Sequence, residues 1–114
     1  MRKLDALVAE KVMGMPRAIV DALALGPPAY STSIADAWDV VEKLDTPGPF
    51  WTIESPRGVM DDTKWSAHYI PVPTKFGGSG RLGVGEADSA PLAICIAALK
   101  AVGVSEAEIQ EAMN

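Results

Sequence analysis

The chain is poor in the residues that covalent chemistry most often uses. Cys95 is its one cysteine and His68 its one histidine. A lone cysteine excludes an internal disulfide framework. No apolar run approaches the ~18 residues that a membrane span requires. The opening MRKLDALVAEK carries acids among its apolar positions and no cleavage-like site, so it reads as a helix, not as a signal peptide. A cytoplasmic location is the default expectation. Bases are also scarce, ten against fifteen acids, for a net charge of −5. Such a balance repels a polyanion and argues against a general nucleic-acid binder. The helix–strands–helix order resembles double-stranded-RNA modules, but the basic helix stripe of those modules is missing.

The apolar share, 48%, is ordinary for a globular protein. The 114 residues fit one domain, 1–114, able to bury roughly two thirds of its unfolded surface. Leu4, Leu7, Val8 and Val12 repeat at helical spacing and predict a first helix over 3–13, closed by Gly14. Residues 15–29 fit either a short helix after Pro16 or an extended connection. Ser33 followed by Asp36 is a capping-box arrangement. It starts a helix whose expected apolar stripe is Ile34, Ala37, Trp38, Val41 and Leu44. FWTIES and KWSAHYIPV read as strands, the first with Trp51 and Ile53 on one face, the second with Trp65, Ala67 and Tyr69. A third strand fits either Val72–Phe76 or the neighbourhood of Arg81–Val84. ADSAPLAICIAALKAVG is apolar nearly all round and predicts the most buried helix, capped by Asp88 or Ser89 and closed by Gly103. Ser105 and Glu108 then open a short terminal helix, with Val104 placed to staple onto Ile109.

Three of these segments together resemble a known family. LDALVAEKVMG (4–14), PAYSTSIADAWDVVEKL (28–44) and GEADSAPLAICIAALKAVG (85–103) are similar, in order and spacing, to the phage ABA sandwich domain family. The resemblance implies an α/β sandwich with a small antiparallel sheet and a phage or prophage source; it implies no reaction. One departure is visible, since the family pattern favours an acid after YST and Ser33 stands there. The element pattern agrees with an α+β fold, a small antiparallel sheet packed between helices in an α/β/α sandwich.

Candidate chemistry starts with a literal G-x-G-x-x-G at Gly78, Gly80 and Gly83. A dinucleotide fingerprint needs a strand directly before it and a helix starting within it. Here a Pro-containing segment precedes it and the next helix starts beyond Gly85, so a surface loop is the better reading. Cys95, deep in an apolar helix, reads as an inert small hydrophobe. Asp61 and Asp62 with His68 are a weak metal arrangement, because adjacent acids in a turn are usually solvated. More informative is the stretch from Arg57 to Arg81, with four bases against two acids. It is +2, which leaves −7 for the rest of the chain, and it holds Phe50, Trp51, Trp65, Tyr69 and Phe76 within or beside it. Aromatic faces with Arg and Lys suit a planar anion. Tyr30 stands just before a helix N-terminus, which also favours an anion.

The resulting expectation is a non-enzymatic protein, without cofactor or metal, that binds a small nucleotide-like anion. The candidate ligand residues are Tyr30, Trp51, Trp65, His68, Tyr69, Lys75 and Arg81, the last two on a glycine-rich loop acting as a lid. In its sharpest form this is a sponge for a host immune nucleotide signal. Its pocket would lie between protomers of a homo-oligomer, because so small a domain offers little concavity. The alternative is a protein-binding inhibitor or accessory factor whose acidic surface engages a basic host or phage protein.

Overall fold

In the computed structural model, residues 2–22, 26–44, 50–55, 64–70 and 82–114 are described. Among them the order is α1 (Arg2–Lys11), α2 (Arg17–Ala22), α3 (Ile34–Leu44), β1 (Phe50–Glu54), β2 (Trp65–Ile70), β3 (Gly83–Ala87), α4 (Ala90–Ala101) and α5 (Glu106–Met113). This is the expected α+β fold with a small antiparallel sheet. The third strand, left between two positions by the sequence, is β3; the other position, Val72–Phe76, lies outside the described residues.

The strands pair in sequence order, β1-β2-β3, all antiparallel. Side chains alternate across a sheet, so the register sorts them into rows. Trp51, Tyr69 and Gly83 form one row on the core face, and Ile53, Ala67 and Gly85 form the next. In both rows bulk falls to nothing at β3. The large end is filled by Trp51 and Tyr69, whose rings meet edge to face with centroids 5.4 Å apart. The small end lets a helix come down onto bare backbone. A Cβ added to Gly83 would overlap the carbonyl oxygen of Ala97, and one added to Gly85 would overlap that of Ala93 and stand 2.7 Å from Ala97 N. Neither glycine has a positive φ, unlike Gly14, Gly26 and Gly103. Their backbone conformation is open to any residue; only the helix forbids a side chain.

That helix is α4, and ten of its twelve residues are buried. Ser89 is its extended N-cap with Pro91 in the first turn, although the Ser89 hydroxyl makes no capping hydrogen bond. Its end is a Schellman turn: Gly103, at φ 93°, donates to Lys100 O at 3.1 Å, and Val104 donates to Leu99 O at 3.0 Å. The sheet, α1, α3 and α5 all pack on α4, which explains why no side of it is polar.

The remaining helices are amphipathic. Leu4, Leu7, Val8 and Val12 are buried as expected. The segment after Pro16 is helical, with Ile19 and Val20 donating to Pro16 O. Arg17 ties it to α1 through Glu10 at 3.1 Å and to its own Asp21 at 3.2 Å. In α3 the capping box is only half formed. Ser33 Oγ accepts from Asp36 N at 3.4 Å, but Ser33 N already donates to Ala29 O at 2.8 Å, and Asp36 Oδ2 accepts from Ala29 N instead. The predicted α3 stripe needs correction. Ala37, Val40 and Val41 are its buried positions, whereas Ile34 and Trp38 are 56% and 50% exposed. The reason is that, among the described elements, α3 packs extensively only on α4, so a narrow face is enclosed. At α5, Ser105 Oγ caps Glu108 N at 3.2 Å, and Val104 and Ile109 are both buried in the core.

The packing of β3 makes a prediction with a definite sign. Gly→Ala at a compatible backbone position normally stabilises by restricting the unfolded chain. Here Gly85→Ala lowers stability by about 3 kcal/mol, the range of an overpacked core, and Gly83→Ala does the same, measured by urea denaturation. A neutral or stabilising outcome would refute the close approach of α4.

Candidate functional site

Of the expected ligand residues, the described ones do not form one exposed surface. Tyr30 is only 2% exposed and belongs to the core cluster. Burial raises the pKa of its hydroxyl, and the charges of Asp36, Asp39 and Asp5 raise it further. The ring is therefore set among α1, α3 and α4, in an acidic environment. The N-terminus of α3 carries its own acid, Asp36, which offsets the attraction of that terminus for an outside anion. Tyr69 is buried, and Trp51 and Trp65 are half-buried against the core. His68 sits in the row Thr52, His68, Val84 on the opposite face of the sheet. Lys75, Arg81, Phe76, Asp61 and Asp62 lie outside the described residues, as do Gly78 and Gly80. Gly83, the last glycine of the G-x-G-x-x-G, is the first residue of β3 and serves packing.

One buried polar feature went unread in the sequence. Asp5, 7% exposed on α1, accepts a 2.8 Å hydrogen bond from the backbone N–H of Ser31, 26 residues away. This clasp fixes the Tyr30-Ser31 turn against α1. The Ser31 hydroxyl is itself buried with no partner among the described residues. A signal existed: Asp5 shares a helical face with Val8 and Val12, and an acid in an apolar stripe is a residue with a buried task. Cys95 is fully buried on α4. Burial first, and the negative charge of Asp5 second, push its thiol far above the ordinary range, as an inert cysteine requires.

The main concavity lies elsewhere, as an open cleft of about 470 Å³ between β3, α4 and α5. Its apolar lining comes from Val84, Leu92, Ile96 and Met113. Its polar rim holds Glu86, Asp88 and Glu106 against Lys64 and Lys100. Lys100 Nζ is 2.8 Å from Glu106 Oε2, and Gln110 donates to the same carboxylate at 3.3 Å; both hold Glu106 below the usual carboxylate range. The Lys100–Glu106 pair cancels, and the rest of the described rim sets Glu86 and Asp88 against Lys64, a net of one negative charge. No group of three or more His, Cys, Asp or Glu capable of holding a metal occurs among the described residues. No helix among them is long and apolar enough to cross a membrane. Nothing in this arrangement points to catalysis.

Comparison with known proteins places this geometry in context. The family model for the phage ABA sandwich domain matches residues 6–99. The match spans most of α1 and nearly all of α4, takes in β3 with its two glycines, and stops short of α5. The chain is also similar to a phage protein from Bacillus cereus ATCC 14579, whose crystal structure is known at 2.0 Å. The two are 28% identical over 91% of this chain and 88% of the other, with a TM-score of 0.64. No curated protein matches significantly.

Two outcomes follow from the buried polar groups. Asp5→Ala strands the Ser31 N–H and costs about 1.5–3 kcal/mol, the usual worth of a buried hydrogen bond to a charged group; urea denaturation reads it, and a neutral result would show the clasp to be dispensable. The Cys95 thiol stays unreactive to Ellman's reagent in the native protein and reacts on unfolding. Rapid native labelling would contradict its burial.

Proposed function

The chain belongs to the phage ABA sandwich domain family, and on that premise we propose that this small phage-associated protein acts as an accessory factor that binds a basic partner protein. The observation that carries the reading is the charge of the cleft between β3, α4 and α5. Three carboxylates face two ammonium groups there; the Lys100–Glu106 pair cancels, which leaves Glu86 and Asp88 against Lys64. A phosphate entering this cleft would be opposed by its rim, whereas Lys and Arg side chains would be drawn to it and steered from a distance.

A second reading keeps the small anionic ligand, in its sharpest form a sequestered host nucleotide signal. One observation favours it. The indole Nε1 of Trp51 is buried with no acceptor among the described residues, and an oxygen of a bound anion would supply one. It draws on the basic stretch that contains Lys75 and Arg81. It is tested by calorimetry with a panel of cyclic and ADP-ribose-type nucleotides. Binding by one of them, weakened in Trp51→Phe, supports this reading over the first; no binding across the panel ends it.

The leading reading is tested by capture from lysate of infected cells, identification of the retained protein and re-binding of that protein in purified form. A basic partner is expected, with affinity that falls steeply as salt rises. Reversing two rim charges, Asp88→Lys with Glu106→Lys, is expected to weaken it about tenfold, the sum of modest exposed pairs. A partner indifferent to both salt and charge reversal would sink the reading, as would the absence of any partner that re-binds.

A further inference from the structure

Strand β3 is the last strand of the sheet, with β2 on one side only. Among the described residues, no backbone hydrogen bond beyond the β2 ladder involves residues 83–87. Among the described residues the outer edge of β3 therefore presents N–H and C=O groups without a backbone partner, as an edge strand does. What distinguishes this edge is its setting. It forms one wall of the cleft, and the opposite wall is made by Leu92 and Ile96 on α4 and Met113 on α5. The missing side chains of Gly83 and Gly85 draw α4 close under β3, so the apolar wall stands next to the open edge.

We propose that this edge and cleft take up an extended segment of the partner as a fourth strand of the sheet. The inference rests on the protein-binding reading above and names its mode. Side-chain alternation then dictates the chemistry of the segment. On an added strand, every second side chain points the way Gly85 and Ala87 point, toward Leu92, Ile96 and Met113, and should be apolar. The intervening side chains lie beside Val84 and the exposed Glu86 on the outer face and should be Lys or Arg. A second copy of this chain is a poor occupant, since it would bring the same acids to the same rim. The occupant is a different chain, basic and apolar in alternation.

The probe is a synthetic peptide, acetyl-Lys-Val-Lys-Ile-Arg-Val-Lys-Val-amide, titrated into the isotope-labelled protein and followed by backbone NMR. Binding is expected to shift residues 83–87 together with Leu92, Ile96 and Met113. Two forms of the peptide, N-methylated on odd or on even amides, give the decisive contrast, because only alternate amides face a neighbouring strand. One form should bind nearly as well as the parent, while the other should lose about tenfold or more, the worth of two ladder hydrogen bonds. Glu86→Lys, an exposed position, should weaken the parent peptide while leaving the fold intact. A peptide with Glu in place of Lys and Arg should not bind. Equal affinity of both methylated forms, perturbations centred away from β3, or no binding of the parent peptide would each overturn strand addition. If the captured partner still binds in a salt-dependent way after such a result, the protein-binding reading stands and only its mode is wrong.

Discussion

The structure turns on a place where no side chain fits. Between β3 and α4 the backbone of Gly83 and Gly85 lies against the carbonyls of Ala93 and Ala97. The rest of the sheet is graded to suit this approach. Bulk on the core face grows from glycine on β3 through Ala67 and Tyr69 on β2 to Ile53 and Trp51 on β1, so the sheet meets the helix as a wedge. Packing at interior density leaves little freedom once one such distance is set. Helix α4, pressed against the sheet on one side, offers its other sides to α1, α3 and α5 and becomes the element they all share. The cleft is a by-product of the same geometry, opening where α4 and α5 run on past the edge of β3.

Much of this was legible in the chain. The 3.6-residue rhythm of α1, the apolar length of α4 and the Ser105 cap of α5 are local signals, and local signals survive folding unchanged. The face of α3 was not local. Its apolar residues cover more of the helix than α4 can hide, and which of them stay wet depends on what packs there, so Ile34 and Trp38 were misassigned to the core. The G-x-G-x-x-G was rightly not read as a dinucleotide fingerprint, but the task of its last glycine was hidden for a related reason. A glycine required by a phosphate, by a turn or by a helix lying on it is spelled the same way, and only the partner across the contact tells them apart. Gly83 answers to Ala97. The aromatics were placed on the correct strands, but their role was legible only in part, because a tryptophan that stacks on a ligand and one that fills a wedge have the same sequence pattern.

The chemistry of the molecule follows from where its polar groups were spent. Asp5 and the Tyr30-Ser31 turn, distant in sequence, are joined at the bottom of the core, and Cys95 is sealed beside them. These groups organise the interior and are withdrawn from reactants. The outside carries the charges of β3, α4 and α5 together with exposed apolar side chains, among them Ile34 and Trp38 on α3, Ile70 on β2 and Leu82 before β3. The family match runs through residue 99 and so takes in the β3 and α4 sides of the cleft but not its α5 side.

The glycines of β3 also bear on how the molecule comes apart. Glycine has little intrinsic liking for an extended strand and surrenders the most chain entropy on being held in one. A strand written Gly-Val-Gly-Glu-Ala owes its shape to the helix above it, and that helix follows after only Asp88 and Ser89. Strand and helix thus form a single cooperative unit with a short connection, early to assemble because its contacts are near in sequence. The Asp5–Ser31 clasp closes a longer stretch of chain and so costs more loop-closure entropy to form.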